Sequence, residues 1–503
     1  MPPSPRVLIV GAGPTGLALA GELAGFGIPC QVVDKRGARS PLSRACTVEP
    51  RTLELLDMRG RVGDVLARGR KCPHPPLGND DGHLDYGLLD TSFPFSLSIP
   101  QSKTEEALQI AAEKAGAVVL AGTEVTGLRQ DAKGVDVTMV GPGGPFTVRA
   151  SYVVGCDGVN STVREALGVG FEGWNYEQSL MMADARLSNP PGPAEYARIT
   201  RRGMAALFPF KDGTYRIIVL DREKFAVSPE QPLSLEDLSE SCTAILGSDV
   251  GIHAPVWLSR FRSSQRHAKR YRVDRVLLAG DAAHTHIPSG GQGLQTGIQD
   301  AFNLGWKLRA VLAGRAPHGL LDSYEAERYP IAAQTLRKTD LSFRFETSDS
   351  LPARLLRKAT MWSMRIGAVH RINVEHLSGL VLRYPPAGSG RWAGRRVPDR
   401  PLVPSDGPGR LYELFHDGEF VLIGAKNCPS SATGWADRLR TGILATPIGE
   451  RWPPFVLIRP DGYVAWAGRT PDEGLTRALQ RWCGHPVAPS PASEHRTGTD
   501  RVP

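Results

Sequence analysis

"RVLIVGAGPTGLALAGELAGFGIPCQVVDKR", residues 6–36, sets the frame for the rest of the chain. Val7 to Val10 is a short branched apolar run with the length of a buried parallel strand. Gly11, Gly13 and Gly16 follow at once in G-x-G-x-x-G spacing. Leu17, Leu19, Ala20, Leu23 and Ala24 then supply an apolar helical face, and a second strand, Gln31 to Val33, runs into Asp34. Strand, glycine turn, helix, strand and acid together predict a dinucleotide-binding βαβ unit. Gly11 permits the tight turn, Gly13 lets the backbone approach a pyrophosphate, and Gly16 lets helix pack on strand. The helix N-terminus faces the phosphates, and Asp34 is placed to accept from a ribose hydroxyl. FAD and NAD both fit this unit.

Two later segments repeat the form. "SYVVGCDGVNSTVREALG", residues 151–168, predicts a strand at Tyr152 to Val154, an exit turn exposing Asp157, and a helix from about Ser161. Alone, it reads equally as an Asp-Gly turn with a Ser cap. "RVLLAGDAAHTHIPSGGQGLQTGIQDAFNL", residues 275–304, predicts a strand at Val276 to Ala279, a turn at Gly280 and Asp281, and a helix after Gly293. Three strand-exit turns of one sheet are therefore expected where open α/β sheets bind ligands.

The 503 residues, 41% hydrophobic and 22% charged, predict a soluble globular chain of two or three domains. The net charge of +8 is scattered, and its densest run, "RFRSSQRHAKRYR" at 260–272, is short. This reads as a solvated basic face suited to anionic cofactors rather than a nucleic-acid site. Seven cysteines show no CxxC pair, so metal and disulfide frameworks are not expected. No apolar run reaches the length of a membrane span, and "MPPSPR" lacks a signal-peptide core, so a cytoplasmic location is expected.

The three motifs, in this order, resemble those of the FAD-dependent aromatic hydroxylases, single-component monooxygenases that use NAD(P)H. They are Gly11 to Gly16, Cys156-Asp157-Gly158 with Arg164, and Gly280-Asp281 through "PSGGQG" to Asp300. "SRACTVEPRTLELLD" (43–57) and "IPQSKTEEAL" (99–108) are similar to the family's arginine loop and glutamine helix, and the likeness covers roughly residues 5–380. Within the family, the chain is most similar to the hydroxylases of aromatic polyketides.

The resemblance implies an α/β fold: a Rossmann-like FAD-binding domain (1–175 with 272–385) and a p-hydroxybenzoate hydroxylase-like β-sheet substrate domain (176–271, with part of 70–100). A thioredoxin-like C-terminal domain (386–490) and a flexible tail (491–503) complete it. FAD contacts are implied for Gly11, Gly13, Pro14, Thr15, Gly16, Asp34, Lys35, Arg36, Arg44, Gln101, Val125, Asp157, Gly158, Arg164, Gly280, Asp281, Pro288, Gly291, Gly293, Leu294 and Gln295. Asp157, Gly158 and Arg164 belong to a motif tied to both FAD and NAD(P)H. Gln295 stands where the family has Asn, and Thr296 with Gln299 has the spacing of a substitute capping box.

The implied reaction is hydroxylation of a polycyclic, polyketide-like aromatic through a flavin C4a-hydroperoxide, consuming NADPH or NADH and molecular oxygen. Pro288 and Gly291 are expected beside the reacting ring. Arg51, His284 and His286 are candidates for the charge or base that activates a phenol. "MMADARL" onward (181–227) alternates around an Asp-Gly turn at 212–213 and predicts an antiparallel sheet roofing the pocket, with Phe208 and Arg216 able to face substrate. Baeyer–Villiger oxygen insertion or antibiotic-inactivating hydroxylation would use the same chemistry, and a redox-silent FAD scaffold is the alternative of another class. A homodimer is compatible with the sequence. After Pro385, a Gly/Pro/Arg-rich loop predicts a boundary, followed by strands 420–423 and 455–458 and a helix near 474–482. Cys428 and Cys483 are isolated, which argues against thiol redox chemistry.

Overall fold

The computed structural model describes residues 5–40, 44–77, 82–385, 390–404, 407–424, 429–449 and 452–487. Ser43, Cys428 and the tail at 491–503 lie outside the described residues.

The apolar run at Val7–Val10 is fully enclosed because it is the inner strand of a six-stranded sheet. The sheet order is Arg272–Val273, Val276–Leu278, Tyr152–Gly155, Val7–Val10, Cys30–Asp34, Val118–Ala121. The last five strands are parallel and the first is antiparallel. Helix Pro14–Gly25 follows the glycine turn, with Pro14 where a missing N–H does no harm. It packs against helix Gln101–Lys114 and the long helix Gln292–Leu312. A hairpin pair, Glu124–Gln130, Val135–Gly141 and Gly144–Ala150, forms a separate small sheet.

A second six-stranded sheet is antiparallel and contains two 17-residue strands, Phe171–Leu187 and Ile252–Ala268. Strands Gly203–Pro209 and Tyr215–Asp221 flank the expected turn at 212–213. Its period of two sorts the faces. Ala183, Ala185, Leu207, Ile217 and Val219 pack on helix Leu235–Leu246, while Asp184, Phe208 and Arg216 point the other way, toward the nucleotide sheet. A three-stranded sheet, Thr47–Val48, Ser96–Ser98 and Arg70–Cys72, closes one side.

In the C-terminal part, Phe420–Ile423 and Phe455–Ile458 occur as read from sequence, within a four-stranded sheet completed by Leu439–Gly442 and Val464–Gly468. Helix Glu473–Cys483 covers it. This is the thioredoxin-like unit of the p-hydroxybenzoate hydroxylase-like architecture, and its buried residues form one continuous core with the nucleotide sheet.

Candidate active site

The three turns meet at one edge of the parallel sheet, because the strands ending at Val10, Gly155 and Leu278 are neighbours. A Cβ on Gly16 would lie 2.0 Å from the Gly11 carbonyl oxygen, so packing forces glycine there. Gly13 has an ordinary φ of −79°, and a Cβ on it would meet no protein atom within 4 Å. The space before Gly13 is therefore open to a ligand. Thr15 wedges against Gly280 and Gly297, joining the first turn to the third.

Asp34 accepts from the Ala12 and Arg36 amides at 2.8 and 2.9 Å and pairs with the Arg36 guanidinium. Burial pushes its carboxyl up, but these donors hold it below the usual range. Lys35 is exposed. Asp157 accepts from the Ser161 hydroxyl (2.5 Å) and the Val163 amide (3.1 Å), so it caps the short helix Thr162–Ala166 after the left-handed Gly158. Arg164 donates to the carbonyls of Ala282 and Val159 and stacks 3.8 Å over Phe171, tying the second turn to the third. Gln101 accepts from the Ala45 amide at 3.0 Å, fastening the loop that carries the exposed Arg44. Val125 is a core residue.

Asp281 sits at this edge, half-buried. Burial raises its carboxyl, opposed only by the charges of His284 and Arg44, with no hydrogen-bond donor on it among the described residues. A half-buried acid that accepts from no side chain or backbone amide is open to a hydroxyl-bearing ligand. Below it, Gly290 and Gly291 adopt left-handed φ of +70° and +63°, between the exposed Pro288 and a half-buried Gly293 and Leu294. Helix Gln292–Leu312 begins there with no side-chain cap, so its first amides remain free.

This corrects the expected capping box. Thr296 bonds back to the Gln292 carbonyl at 2.9 Å, and the buried Gln299 side-chain oxygen has no partner. Gln295 faces another element: its oxygen accepts from the Glu49 amide (3.2 Å) and Thr52 hydroxyl (2.7 Å), and its nitrogen donates to the Thr47 carbonyl (2.9 Å). It ties strand Thr47–Val48 and the residues at the start of helix Pro50–Asp57 to the glycine loop instead of capping its own helix.

Over the loop lies one row across four strands: Trp257, Asp184, Arg216 and Phe208 are successive cross-strand partners. Arg216 is fully buried, held by Asp184 at 2.6 Å, and donates to the Arg44 carbonyl at 2.7 Å. Trp257 donates to the same carboxylate at 2.9 Å. Phe208, Met204, Ile218 and Trp257 are only half-buried although they sit mid-sheet, which leaves an apolar surface facing the glycine loop.

Arg51 points elsewhere. Its guanidinium is bound to Glu54 (3.0 Å) and the Asp461 carbonyl (2.6 Å), and lies 4.8 Å over Tyr463 of the C-terminal unit. His284 bonds to Asp300 at 2.7 Å, and Asp300 to Arg328 at 2.6 Å. Burial would raise the Asp300 carboxyl, but Arg328 and His284 bring it down to about 2. His286 has neither ring nitrogen bonded, and burial lowers its imidazole to about 3.

Sequence reading missed one feature. A register shift between Asn175 and Ser179 lifts one long strand off the other. Beside it lies a cavity of about 660 Å³ whose polar lining includes Asn160, Arg164, Asn175, Glu177, Arg262, Ser264 and Arg266. The strand alternation of the 260–272 run was the available signal, because it puts 262, 264 and 266 on one side.

The FAD binding domain family matches residues 5–339, and the family described as aromatic-ring hydroxylase, C-terminal matches residues 390–486. The chain is an FAD-dependent aromatic hydroxylase. It is 40% identical over 511 residues to the anhydrotetracycline monooxygenase of Streptomyces rimosus, covering 96% of this chain and 99% of that one. It is 38% identical over 489 residues to the rifampicin monooxygenase of Streptomyces venezuelae, covering 96% and 99%. Among solved structures, the OxyS anhydrotetracycline hydroxylase from Streptomyces rimosus superposes with a TM-score of 0.85 at 41% identity, covering 96% and 100%. This hydroxylase is thus an FAD-dependent monooxygenase, and no helix among its described residues is long and apolar enough to cross a membrane.

Proposed function

We propose that this hydroxylase adds one oxygen atom to a polycyclic, polyketide-like phenol or quinone, drawing on NAD(P)H and molecular oxygen. The observation that carries the reading is the half-buried apolar surface of Met204, Phe208, Ile218 and Trp257 set over an uncapped helix start. That arrangement suits a broad flat substrate above a flat cofactor.

The residues present fit FAD. Gly13 leaves open the space a pyrophosphate needs, Asp34 stands at the end of the second strand for a ribose, and Asp281 is a half-buried acceptor with no donor on it among the described residues. Arg44 is exposed above the sheet edge for the phosphates, and Gln101 fixes its loop. Bound FAD supplies hydride acceptance from NAD(P)H and activation of oxygen, chemistry that no side chain here provides. The free amides after Gly291 stabilise negative charge placed against them, reinforced by a 21-residue helix dipole. Pro288 and Gly291 shape the floor beside the reacting ring. Phe208 contacts substrate, whereas Arg216, spent on Asp184 and the Arg44 carbonyl, positions the Arg44 loop. Arg51 acts as a strut to the C-terminal unit. His286 remains neutral at physiological pH and offers two free ring nitrogens to an enclosed hydroxyl.

The cavity after the second turn, where Arg164, Arg262 and Arg266 outnumber Glu177, is the docking place we assign to the anionic part of NAD(P)H. Incubating the FAD-loaded enzyme with NADPH and a panel of polycyclic phenols and quinones tests the substrate class. A product heavier by one oxygen supports it. NADPH consumption that no polycycle stimulates refutes it.

A further inference from the structure

Residues 341–372 expose large apolar side chains in a way the oxygenase reading does not use. Leu351, Leu355, Leu356 and Trp362 of helix Leu351–Ser363 are each 58–65% exposed, and no residue of that helix is buried. Leu341 before it and Ile366 and Ile372 after it are exposed as well. At 100° per residue, Leu351, Trp362 and Leu355 fall within about 40° of one another, with Arg354 and Lys358 along one flank. From Ser350 to Val374 every charged side chain is basic. Arg357 and Arg371 pair with Asp349 and Glu375, whereas Arg354, Lys358 and Arg365 have no ion pair among the described residues.

The segment is fixed beside the active site. Ser289 of the glycine loop donates to Glu346 at 2.8 Å, and Gln292 donates to the Leu377 carbonyl at 3.3 Å. The apolar stripe therefore sits on a short arm whose two ends are bonded to the loop under the substrate surface.

We propose that helix Leu351–Ser363 lies on the surface of an anionic phospholipid bilayer. A short helix with an exposed apolar stripe that carries Trp, flanked by unpaired Lys and Arg, matches the physics of interfacial helices: the stripe enters the acyl boundary while the cations meet lipid phosphates. Charge decides against a second copy of this chain as the occupant. Two such helices packed together would crowd Arg354, Lys358 and Arg365 of both copies around one stripe, with no acidic residue of the helix to offset them. Docked this way, the arm holds the glycine loop and the surface over it close to the lipid, a source of apolar polycycles. That last consequence rests on the proposed substrate class; the docking itself does not.

Flotation of the FAD-loaded protein with vesicles of equal phosphatidylglycerol and phosphatidylcholine, against phosphatidylcholine alone, tests the docking without any turnover. The protein is expected to float with the anionic vesicles and not with the neutral ones. Leu355→Glu, Trp362→Glu and the double change Arg354→Glu with Lys358→Glu are each expected to cut the bound fraction about tenfold while flavin absorption stays unchanged. Absence of flotation with anionic vesicles, or equal flotation of the variants, overturns the proposal. So does a wild-type dimer on gel filtration that Leu355→Glu splits, with no vesicle binding.

Discussion

Gly13 and Gly16 lie three positions apart in one turn, and they are glycine for different reasons. A methyl on Gly16 would press to 2.0 Å from a carbonyl oxygen, whereas one on Gly13 would meet only empty space. Gly16→Ala should therefore lower stability by about 3 kcal/mol or more, through overpacking and displaced backbone. Gly13→Ala should leave the melting temperature of the FAD-free protein within about 1 °C, since exposed changes of this kind fall near zero, yet weaken FAD binding at least about tenfold. Calorimetry of both FAD-free variants, with flavin titration, separates the two roles.

Glu195 is buried beside Ser98 and Cys72, and burial together with Glu49 raises its carboxyl from 4.5 to about 8. The folded state thus holds a proton that the unfolded chain releases above pH 4.5. Its contribution falls as pH climbs from about 4.5 to 8 and stays low above that. Glu195→Gln, which cannot ionise, should melt higher than wild type at pH 9, with the gap closing toward pH 4.5. A gap independent of pH would show that this carboxyl does not titrate as described.

At the scale of elements, the helix start at Gln292 depends on what Gln295 reaches. Three hydrogen bonds from one amide hold the start of helix Pro50–Asp57 and strand Thr47–Val48 against the glycine loop. Asn is one methylene shorter. Gln295→Asn should lose these bonds, lowering stability by about 2 kcal/mol and slowing flavin reduction through a loosened loop. Unchanged melting and reduction would mean that the loop is held by other contacts.

The βαβ unit, the turn at 212–213 and strands 420–423 and 455–458 were legible because each is local: period, turn residues and flanking apolar runs lie within a few positions. The Gln295 tether was not legible. Its partners are about 245 residues away, and no local pattern marks a side chain that tethers a distant element. Residues 181–187 were read as sheet, but the preceding part of that strand, 171–180, and the strand at 252–268 were not, because their many charged and polar residues leave no clear apolar face.

Across the whole molecule, the C-terminal unit is bound to the nucleotide sheet by buried charges. Arg459 takes both oxygens of Glu327 (2.5 and 2.9 Å) and also Asp461, while Lys307 and Asn303 donate to the same Glu327 at 2.8 Å each. Arg51 crosses in the opposite sense to the Asp461 carbonyl. Position near the arginine loop made Arg51 look chemical, and only the folded chain shows its partner 410 residues away. Arg459→Met should leave Glu327 and Asp461 with less counter-charge and cost about 3–5 kcal/mol, read by denaturant unfolding monitored through flavin release. A loss below about 1 kcal/mol would mean the two parts fold independently.

The most direct test of the central claim is anaerobic mixing of the FAD-loaded hydroxylase with NADPH and a polycyclic phenol, followed by admission of isotopically labelled dioxygen. The account predicts that the flavin absorption bleaches, faster with the phenol present, and that the product then carries one labelled oxygen atom. A flavin that stays yellow under NADPH, or a product without label, would contradict it.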